Sequence, residues 1–578
     1  MKKSSYLYKL ILAIWLCCFS GLMFLLYRSI ASVVTGSEFF TVREGFIIFF
    51  LILNFFALGF MWLGSIKDLM FSLYYVIHRK KIMKKYDAIN KIEVKDTPRI
   101  LLVYCTCNDF NSSALSECMK QDYSNVKTVI LDDSSKEEYL KEIDEFAMKN
   151  SLEVVRRVDK TGFKAGNLNN YLKNHHDYDY FVVLDSDEVL PRDYCKKILK
   201  YFYYNKKIGA VQACHVASQG ENAFQSLMGL SVKSNGQTCQ VVKNFYGSNA
   251  LIGHGMTISR ACYEKTGGFP LVVAEDISFA IDIKNNGYEI VYAPDIICEE
   301  EFPIDYLCLK KRQCKWTQGN VEFIKKYDKS LRDSKMSWFE KLDVKLSHYS
   351  LPIVPVLSNI VVFSVIALGF LGYKGAIYSY LMIGLMTLFL IAPLIPDLFV
   401  WGKTKMSLKL IPYFLLNLIT YASLSPMMIK TIFLGLFGKK AKFIITPKTA
   451  KEISIKEAFT ASLDSLLFGV LIIVLGYFST GTIVPFLFII LGCLGAPFAI
   501  LSANIHVHKK TQTEPKIRRS FKNATFSSRP LQAKTKVVLN TKFALTYEDA
   551  SCQTYSLVAD APESNEFILV GDMMYAFC

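Results

Sequence analysis

Long apolar runs at both ends of the chain restrict its fold more than any other feature. Leu10–Tyr27 and Phe46–Leu63 precede a polar stretch; Leu351–Leu371, Ala376–Val400, Leu408–Leu436, Phe459–Phe478 and Ile483–Ile505 follow it. Several approach the ~20 residues an α-helix needs to cross a bilayer. Lipid offers no partner to backbone N–H and C=O groups, so such runs are predicted to be helical. The chain, 578 residues and 52% hydrophobic, is therefore read as a membrane protein with a large water-facing part. Its net charge of +16 most simply marks cytoplasmic loops beside anionic lipid. No basic motif of a nucleic-acid-binding module accompanies that charge, so membrane lipid is an expected partner and nucleic acid is not. The 15 cysteines are scattered without a C-x-x-C pair, and Cys105 and Cys107 are too close for ordinary zinc spacing, so they are read as reduced thiols.

Residues 1–96 read as a transmembrane hairpin with a basic linker. Lys2, Lys3 and Lys9 precede the first run, and His78–Tyr86 (HRKKIMKKY) follows the second. The positive-inside bias puts both flanks in the cytoplasm. No small-residue cleavage pattern follows the first run, which favours an anchor over a signal peptide. Residues 336–505 carry the later helices. Trp338, Phe339, Leu342, Leu346 and Tyr349 recur at helical spacing among lysines, as in a helix lying in the interface. Residues 506–578 form a polar tail, basic at its start and expected in the cytoplasm as a small β appendage or without order.

Between these parts, residues 97–335 have the character of an α/β domain. RILLVYCTCND ends at Asp109, VKTVILDDSS at Asp132 and Asp133, and YDYFVVLDSD at Asp185 and Asp187. Helix-like stretches such as Glu137–Lys149 separate them. Strands apolar on both faces and alternating with helices predict a mostly parallel sheet covered on two sides. Ligands of such sheets bind beyond the C-terminal strand ends, where these acids fall.

Two carboxylates one residue apart suit a Mg²⁺ or Mn²⁺ ion carrying a substrate phosphate, although a lone D-x-D also fits a solvated turn. Upstream, DKTGFKAGNLN offers glycines for close backbone approach and Lys164 as a phosphate-sized charge, or merely a helix start. Downstream, Glu275 and Asp276 open a helix, where acids also serve the helix dipole. Arg312–Asn320 (RQCKWTQGN) sets cationic, amide and indole groups within two helical turns, which an exposed basic helix with a buried Trp would equally show.

Taken in order, D-D-S, K-A-G-x-L-N, D-x-D, G-G-F…E-D and a basic Trp motif between membrane segments resemble the processive family 2 membrane glycosyltransferases, the cellulose, chitin and hyaluronan synthases among them. The resemblance covers roughly residues 99–448. It implies a nucleotide-sugar-binding GT-A α/β domain joined to an α-helical transmembrane domain of about six spans. It implies that Asp132 or Asp133 contacts uridine and that Lys164 and Lys315 lie near the nucleotide. Asp185 and Asp187 would serve the diphosphate and its Mg²⁺ or Mn²⁺, with Asp187 the direct ligand. Asp276 would be the general base, and Glu275, Gln313 and Trp316 would meet the acceptor.

Lys442–Lys448 (KFIITPK) resembles the F-x-V-T-x-K gating loop of that family, with Phe443, Thr446 and Lys448 closing over the donor. A cytoplasmic loop there needs an even number of crossings after the catalytic domain, so Leu408–Leu436 is expected to be interfacial or re-entrant, giving six spans with both termini inside. The family's T-E-D is A-E-D here, and its Q-x-x-R-W becomes Arg312-Gln313-Cys314-Lys315-Trp316; Lys cannot supply a bidentate guanidinium contact. The implied reaction is inverting transfer from a UDP-sugar to a growing β-glycan extruded through the membrane helices. Gly253-His254-Gly255 resembles the G-H-N of bacterial glucan synthases and favours UDP-glucose. The alternatives are a non-processive transferase of the same family acting on a lipid or short acceptor, and a non-catalytic scaffold or transporter. The cyclic-di-GMP motifs of cellulose synthases are incomplete in the tail: Lys522 stands for the second Arg, and Asp549–Thr554 lacks the Gly.

Overall fold

Each strand of the central sheet buries alternate residues on opposite faces. In the computed structural model, Leu102, Tyr104, Ile130, Val182 and Leu184 enter one core cluster, while Leu101, Val103, Val129, Leu131, Phe181 and Val183 enter another. That period of two, apolar on both sides, requires helices above and below the sheet. The structure describes residues 3–36, 39–375, 380–402, 404, 407–438 and 451–507, together with five short strands between 537 and 576.

The strands are β1 (Ile100–Thr106), β2 (Val126–Asp132), β3 (Glu153–Arg156), β4 (Tyr180–Leu184), β5 (Ile208–Ala217), β6 (Met256–Ser259) and β7 (Glu289–Glu300). Their order is β3-β2-β1-β4-β6-β5-β7. β6 runs antiparallel to both neighbours, and the remaining pairs are parallel, giving the mixed sheet of a GT-A-like domain. Thr106 pairs with Asp132 and Tyr104 with Leu184, so the acids after β2 and β4 emerge side by side at one end.

The helices are α1 (Tyr6–Thr35), α2 (Val42–Asn90), α3 (Ser112–Met119), α4 (Glu137–Asn150), α5 (Phe163–Leu172) and α6 (Tyr194–Tyr204). Between β5 and β6 lie α7 (Ala223–Met228), α8 (Leu230–Asn235) and α9 (Val241–Tyr246). Next come α10 (Arg260–Thr266), α11 (Glu275–Asn285), α12 (Tyr306–Asp333), α13 (Trp338–Val344) and α14 (Ser350–Phe370). The basic segment after the second apolar run is a continuation of α2.

The apolar runs at the two ends of the chain meet. Trp15 donates to Gly59 O at 2.7 Å, joining α1 to α2, and Asn54 donates to Ser364 Oγ at 2.7 Å, joining α2 to α14. The later helices are α15 (Tyr380–Ile391), α16 (Ile395–Trp401), α17 (Leu410–Ser423), α18 (Ser425–Leu436), α19 (Ile455–Ala461), α20 (Leu463–Thr480), α21 (Leu487–Leu494) and α22 (Ala496–Leu501). Seven helical stretches among the described residues are long and apolar enough to cross a membrane, Ser407–Leu436 included. Leu424 joins the two halves of that stretch with helical geometry, Leu424 N donating to Thr420 O at 3.2 Å and Met428 N to Leu424 O at 2.9 Å, and the second half lies against α12: Lys325 donates to Gly435 O at 2.8 Å and Leu436 O at 2.9 Å.

Residues 513–578 form a separate unit. In it β8 (Val537–Leu539), β9 (Ala544–Glu548) and β10 (Thr554–Val558) make an antiparallel sheet, and β11 (Phe567–Val570) pairs with β12 (Met573–Ala576). Phe443, Thr446 and Lys448 of the expected gating loop lie outside the described residues.

Candidate active site

The two acids that end β2 have different surroundings. The Asp132 carboxylate is fully buried and accepts from Arg156 Nε at 2.7 Å and Ser134 N at 2.8 Å. Asp133 is gripped by Arg157, with Nε at 3.0 Å and Nη2 at 2.7 Å. Lys160 donates to the carbonyls of Asp133 (2.7 Å) and Ser134 (2.9 Å). Gly166 admits this arrangement, because a Cβ there would run into Thr161 O and the Arg157 guanidinium. The cations Arg156, Arg157 and Lys160 are additions to the sequence reading. Their signal was the E-V-V-R-R-V-D-K run, basic where a strand ends.

Lys164, in the first turn of α5, pairs with Asp185 and donates to Gly253 O at 2.8 Å. Burial alone would lower its pKa, but Asp185, then Cys105 and Glu275, hold it well above the ordinary lysine value. The Asp185 carboxylate remains 40% exposed at the open strand end. Ser186 donates to Asp109 Oδ2 at 2.7 Å, and Asp187 Oδ2 accepts from Glu301 N at 3.2 Å. Asp109 thereby braces the D-x-D turn from the end of β1.

Glu275 and Asp276 begin α11. Asp276 Oδ1 accepts from Ile277 N at 2.8 Å, and Oδ2 faces Gly253, where a Cβ would lie 3.5 Å away. Burial raises both carboxyls. Burial and then the Asp276 charge push Glu275 up to about 7; burial raises Asp276, against the Ile277 N–H and Lys164. Lys315 reaches the same place from α12: burial lowers its pKa against the pull of Asp185 and Glu275. Gly319 of α12 faces the turn before α11, and Glu322 accepts from Val273 N at 3.0 Å.

The basic Trp motif splits between two surroundings. Trp316 is 43% exposed, with the Arg312 guanidinium 4.6 Å from its ring centroid and 4.7 Å from that of Phe302. Gln313 is buried, and its Oε1 has no hydrogen-bond partner among the described residues. The Arg312 Nε is likewise buried and unpartnered, so the residue that replaces the family's first Gln is a further member of this region.

A second cluster lies beside the D-x-D turn. Glu188 is fully buried, accepts from His215 Nε2 at 3.1 Å and pairs with His254 Nδ1. His254 Nε2 meets Glu300 Oε2 at 3.2 Å. Burial would raise Glu188, but His254 and His215 hold it down at about 2. The sets Glu188–His215–Cys298 and His215–His254–Glu300 each have donor atoms close enough for a metal ion. His254 faces Glu188 with Nδ1 and Glu300 with Nε2, so these three side chains form a carboxylate–imidazole–carboxylate chain. Sequence spacing concealed the cluster, because its members come from four separate segments.

The sequence profile of Glycosyl transferase family group 2 matches residues 180–394, from β4 into the later apolar helices. Among curated relatives, a probable glucomannan 4-beta-mannosyltransferase 6 of Oryza sativa subsp. japonica is 25% identical over 231 residues, covering 37% of this chain and 39% of the relative. Glucomannan 4-beta-mannosyltransferase 1 of Cyamopsis tetragonoloba is 24% identical over 182 residues, 30% of this chain and 34% of the relative. The chain thus spans between a third and two-fifths of the length of these relatives. Solved structures similar to it include the mannosyltransferase PcManGT from Pyrobaculum calidifontis in complex with GDP-Man and Mn²⁺, 18% identical with a TM-score of 0.38 over 59% of this chain and 100% of that one. Another is S. aureus TarS, 13% identical with a TM-score of 0.31 over 59% and 54%. The region that matches the family profile contains Asp185, Asp187, Asp276 and Trp316, the acids of the D-x-D turn and of the start of α11 among them.

Proposed function

We propose that the protein is a membrane-embedded inverting glycosyltransferase that builds a β-linked polysaccharide from a nucleoside diphosphate sugar. One observation carries the reading: Lys164, Asp185, Gly253, Asp276 and Lys315, from well-separated segments, converge at the C-terminal ends of the strands.

Arg157 fixes Asp133, and the burial of Asp132 against Arg156 favours Asp133 as the nucleoside contact of the two. Lys164 and Lys315 supply positive charge for the diphosphate. Asp185 and Asp187 form an all-oxygen donor set at an open strand end, the chemistry that suits Mg²⁺ or Mn²⁺. Such an ion, when bound, offsets charge on the leaving diphosphate. Asp276, its pKa raised by burial, takes the acceptor hydroxyl proton as that oxygen attacks the anomeric carbon from the face opposite the diphosphate. An α-linked donor then gives a β-linked product. Glu275 and Gln313 support the acceptor side, while the exposed indole of Trp316 stacks on the acceptor sugar.

The polymer would pass between the helices of the membrane part, with the catalytic domain and both termini cytoplasmic. In this arrangement the stretch α17–α18, whose second half lies against α12, does not cross the membrane, leaving six spans. Phe443, Thr446 and Lys448 would close over the donor.

UDP-glucose is the favoured donor from the sequence. GDP-mannose is the second reading, favoured by relatives named as glucomannan mannosyltransferases. Purified full-length protein incubated with UDP-glucose, UDP-GlcNAc or GDP-mannose and Mg²⁺ or Mn²⁺ tests both. Release of nucleoside diphosphate together with a product cut by β-linkage-specific hydrolases supports the reading. Absence of transfer from all three donors refutes it.

A further inference from the structure

The turn Gly253–Gly255 enters β6 between the nucleotide side of the site and the acceptor side. The Gly253 carbonyl accepts from Lys164 at 2.8 Å, and a Cβ at Gly253 would lie 3.5 Å from Asp276 Oδ2, an ordinary contact distance. The φ of Gly253 is +90° and that of Gly255 is +57°, conformations that suit glycine. A Cβ at Gly255 would also run into His215 Nε2 and Glu188 Oε1.

The backbone of the turn is tied from below. Gly255 N donates to Val183 O at 2.9 Å, Ala213 N donates to Gly255 O at 3.0 Å, and Gln212 Nε2 donates to His254 O at 2.9 Å. From the side, the His254 ring is held by Glu188, just beyond β4, and Glu300, the last residue of β7. β4 and β7 are not neighbours; β6 and β5 stand between them. Beyond the end of β4, however, the segment that carries Glu188 pairs directly with the end of β7, Val189 and Glu299 exchanging backbone hydrogen bonds at 2.9 and 3.0 Å, and the imidazole is held between these two segments at the point where the turn emerges.

Building on the sugar-transfer reading, we propose that His254 is a positioning residue: clamped between Glu188 and Glu300, it fixes the Gly253–Gly255 turn as the floor of the donor-sugar pocket, holding Lys164 on one side and the approach to Asp276 on the other. A carboxylate on each ring nitrogen calls for two N–H donors, which only the imidazolium has. The floor bears on bond formation rather than on nucleotide affinity, because Asp133, Asp185 and Asp187 hold the nucleotide end.

The test uses purified full-length protein with the donor that the wild type accepts, and compares His254→Asn, Glu300→Ala and the double variant. Each single change is expected to lower kcat about 10- to 100-fold, as small misplacements of reacting groups do, with little change in nucleotide Kd. The double variant should be no worse than the poorer single one, since both break the same clamp. Gly253→Ala places alanine at a φ of +90° and strains the turn itself; it is expected to lower kcat with nucleotide Kd again retained, and Glu300→Ala carries the test of the clamp if His254→Asn does not fold. Wild-type kcat in these variants, additive losses, or recovery of His254→Asn by excess Mn²⁺ overturns the proposal, the last by making His254 a metal ligand. Failure of the wild type to transfer from any donor sinks the parent reading instead, and this one with it.

Discussion

Arg157 holds both carboxylate oxygens of Asp133 and also donates to the carbonyls of Thr161 at 2.8 Å and Phe163 at 2.6 Å. One guanidinium thus fastens the end of β2 to the loop that presents Lys164. Lysine keeps the charge but has no planar fork. Arg157→Lys is therefore expected to raise the Kd for the nucleoside diphosphate about tenfold, the ~1.4 kcal/mol scale of one charge-assisted hydrogen bond. Titration with UDP or GDP by calorimetry checks this.

Asp276→Asn removes the proposed base while preserving shape. Loss of general-base catalysis is expected to cost about 10²–10⁴ in kcat, with donor binding unchanged. Wild-type turnover by the Asn variant would eliminate Asp276 from that role.

The same carboxyl predicts a pH profile. A base works only when deprotonated, and burial raises the Asp276 pKa, so transfer should fall as pH drops through a value above the ordinary aspartate figure of about 3.9. The sign is fixed: activity is lost on the acid side and recovered as pH rises. A profile of kcat/KM flat down to the ordinary aspartate range would contradict the assignment.

The all-oxygen donors Asp185 and Asp187 predict metal dependence. Chelation by EDTA should abolish transfer, and either Mn²⁺ or Mg²⁺ should restore it. Asp187→Ala should not be restored by added ion. Full activity in chelator would remove the ion from the reaction.

Gly319 separates two outcomes. A Cβ there would meet Val273 Cγ1 at 3.4 Å and Ala274 Cβ at 3.5 Å, ordinary contact distances. Gly319→Ala should leave turnover intact and stabilise α12 by up to about 1 kcal/mol through helix propensity. Gly319→Leu should push α12 from the turn before Asp276 and lower kcat. Melting temperature and turnover of the two variants decide the point.

Asp343, fully buried on α13, accepts from Tyr8 Oη at 2.6 Å and Ser248 N at 2.7 Å, with Lys243 Nζ at 3.6 Å. It joins the first helix of the chain to the catalytic domain. Asp343→Ala leaves a buried lysine without this partner and is expected to cost about 3–5 kcal/mol. A detergent-solubilised melting curve unchanged from wild type would disprove that linkage.

By itself the sequence determined what depends on neighbours along the chain. The apolar runs became helices of membrane length, Glu137–Lys149 appeared as Glu137–Asn150, and the strands before Asp132 and Asp185 lie in a sheet buried on both faces. Periodicity is a local property, so it could be read without the fold. Which charges meet was decided only in three dimensions. Asp132 and Asp133 are adjacent in sequence, yet one is sealed under Arg156 and the other is held by Arg157. Trp316 stays exposed while Gln313, three residues earlier, is buried. His254 stood in the sequence only within a G-H-G resembling the G-H-N of glucan synthases; the fold brings Glu188, after β4, and Glu300, at the end of β7, to its two ring nitrogens. Ion pairs and hydrogen bonds act over a few ångströms, and only the crossing of distant segments at one end of the sheet sets those distances.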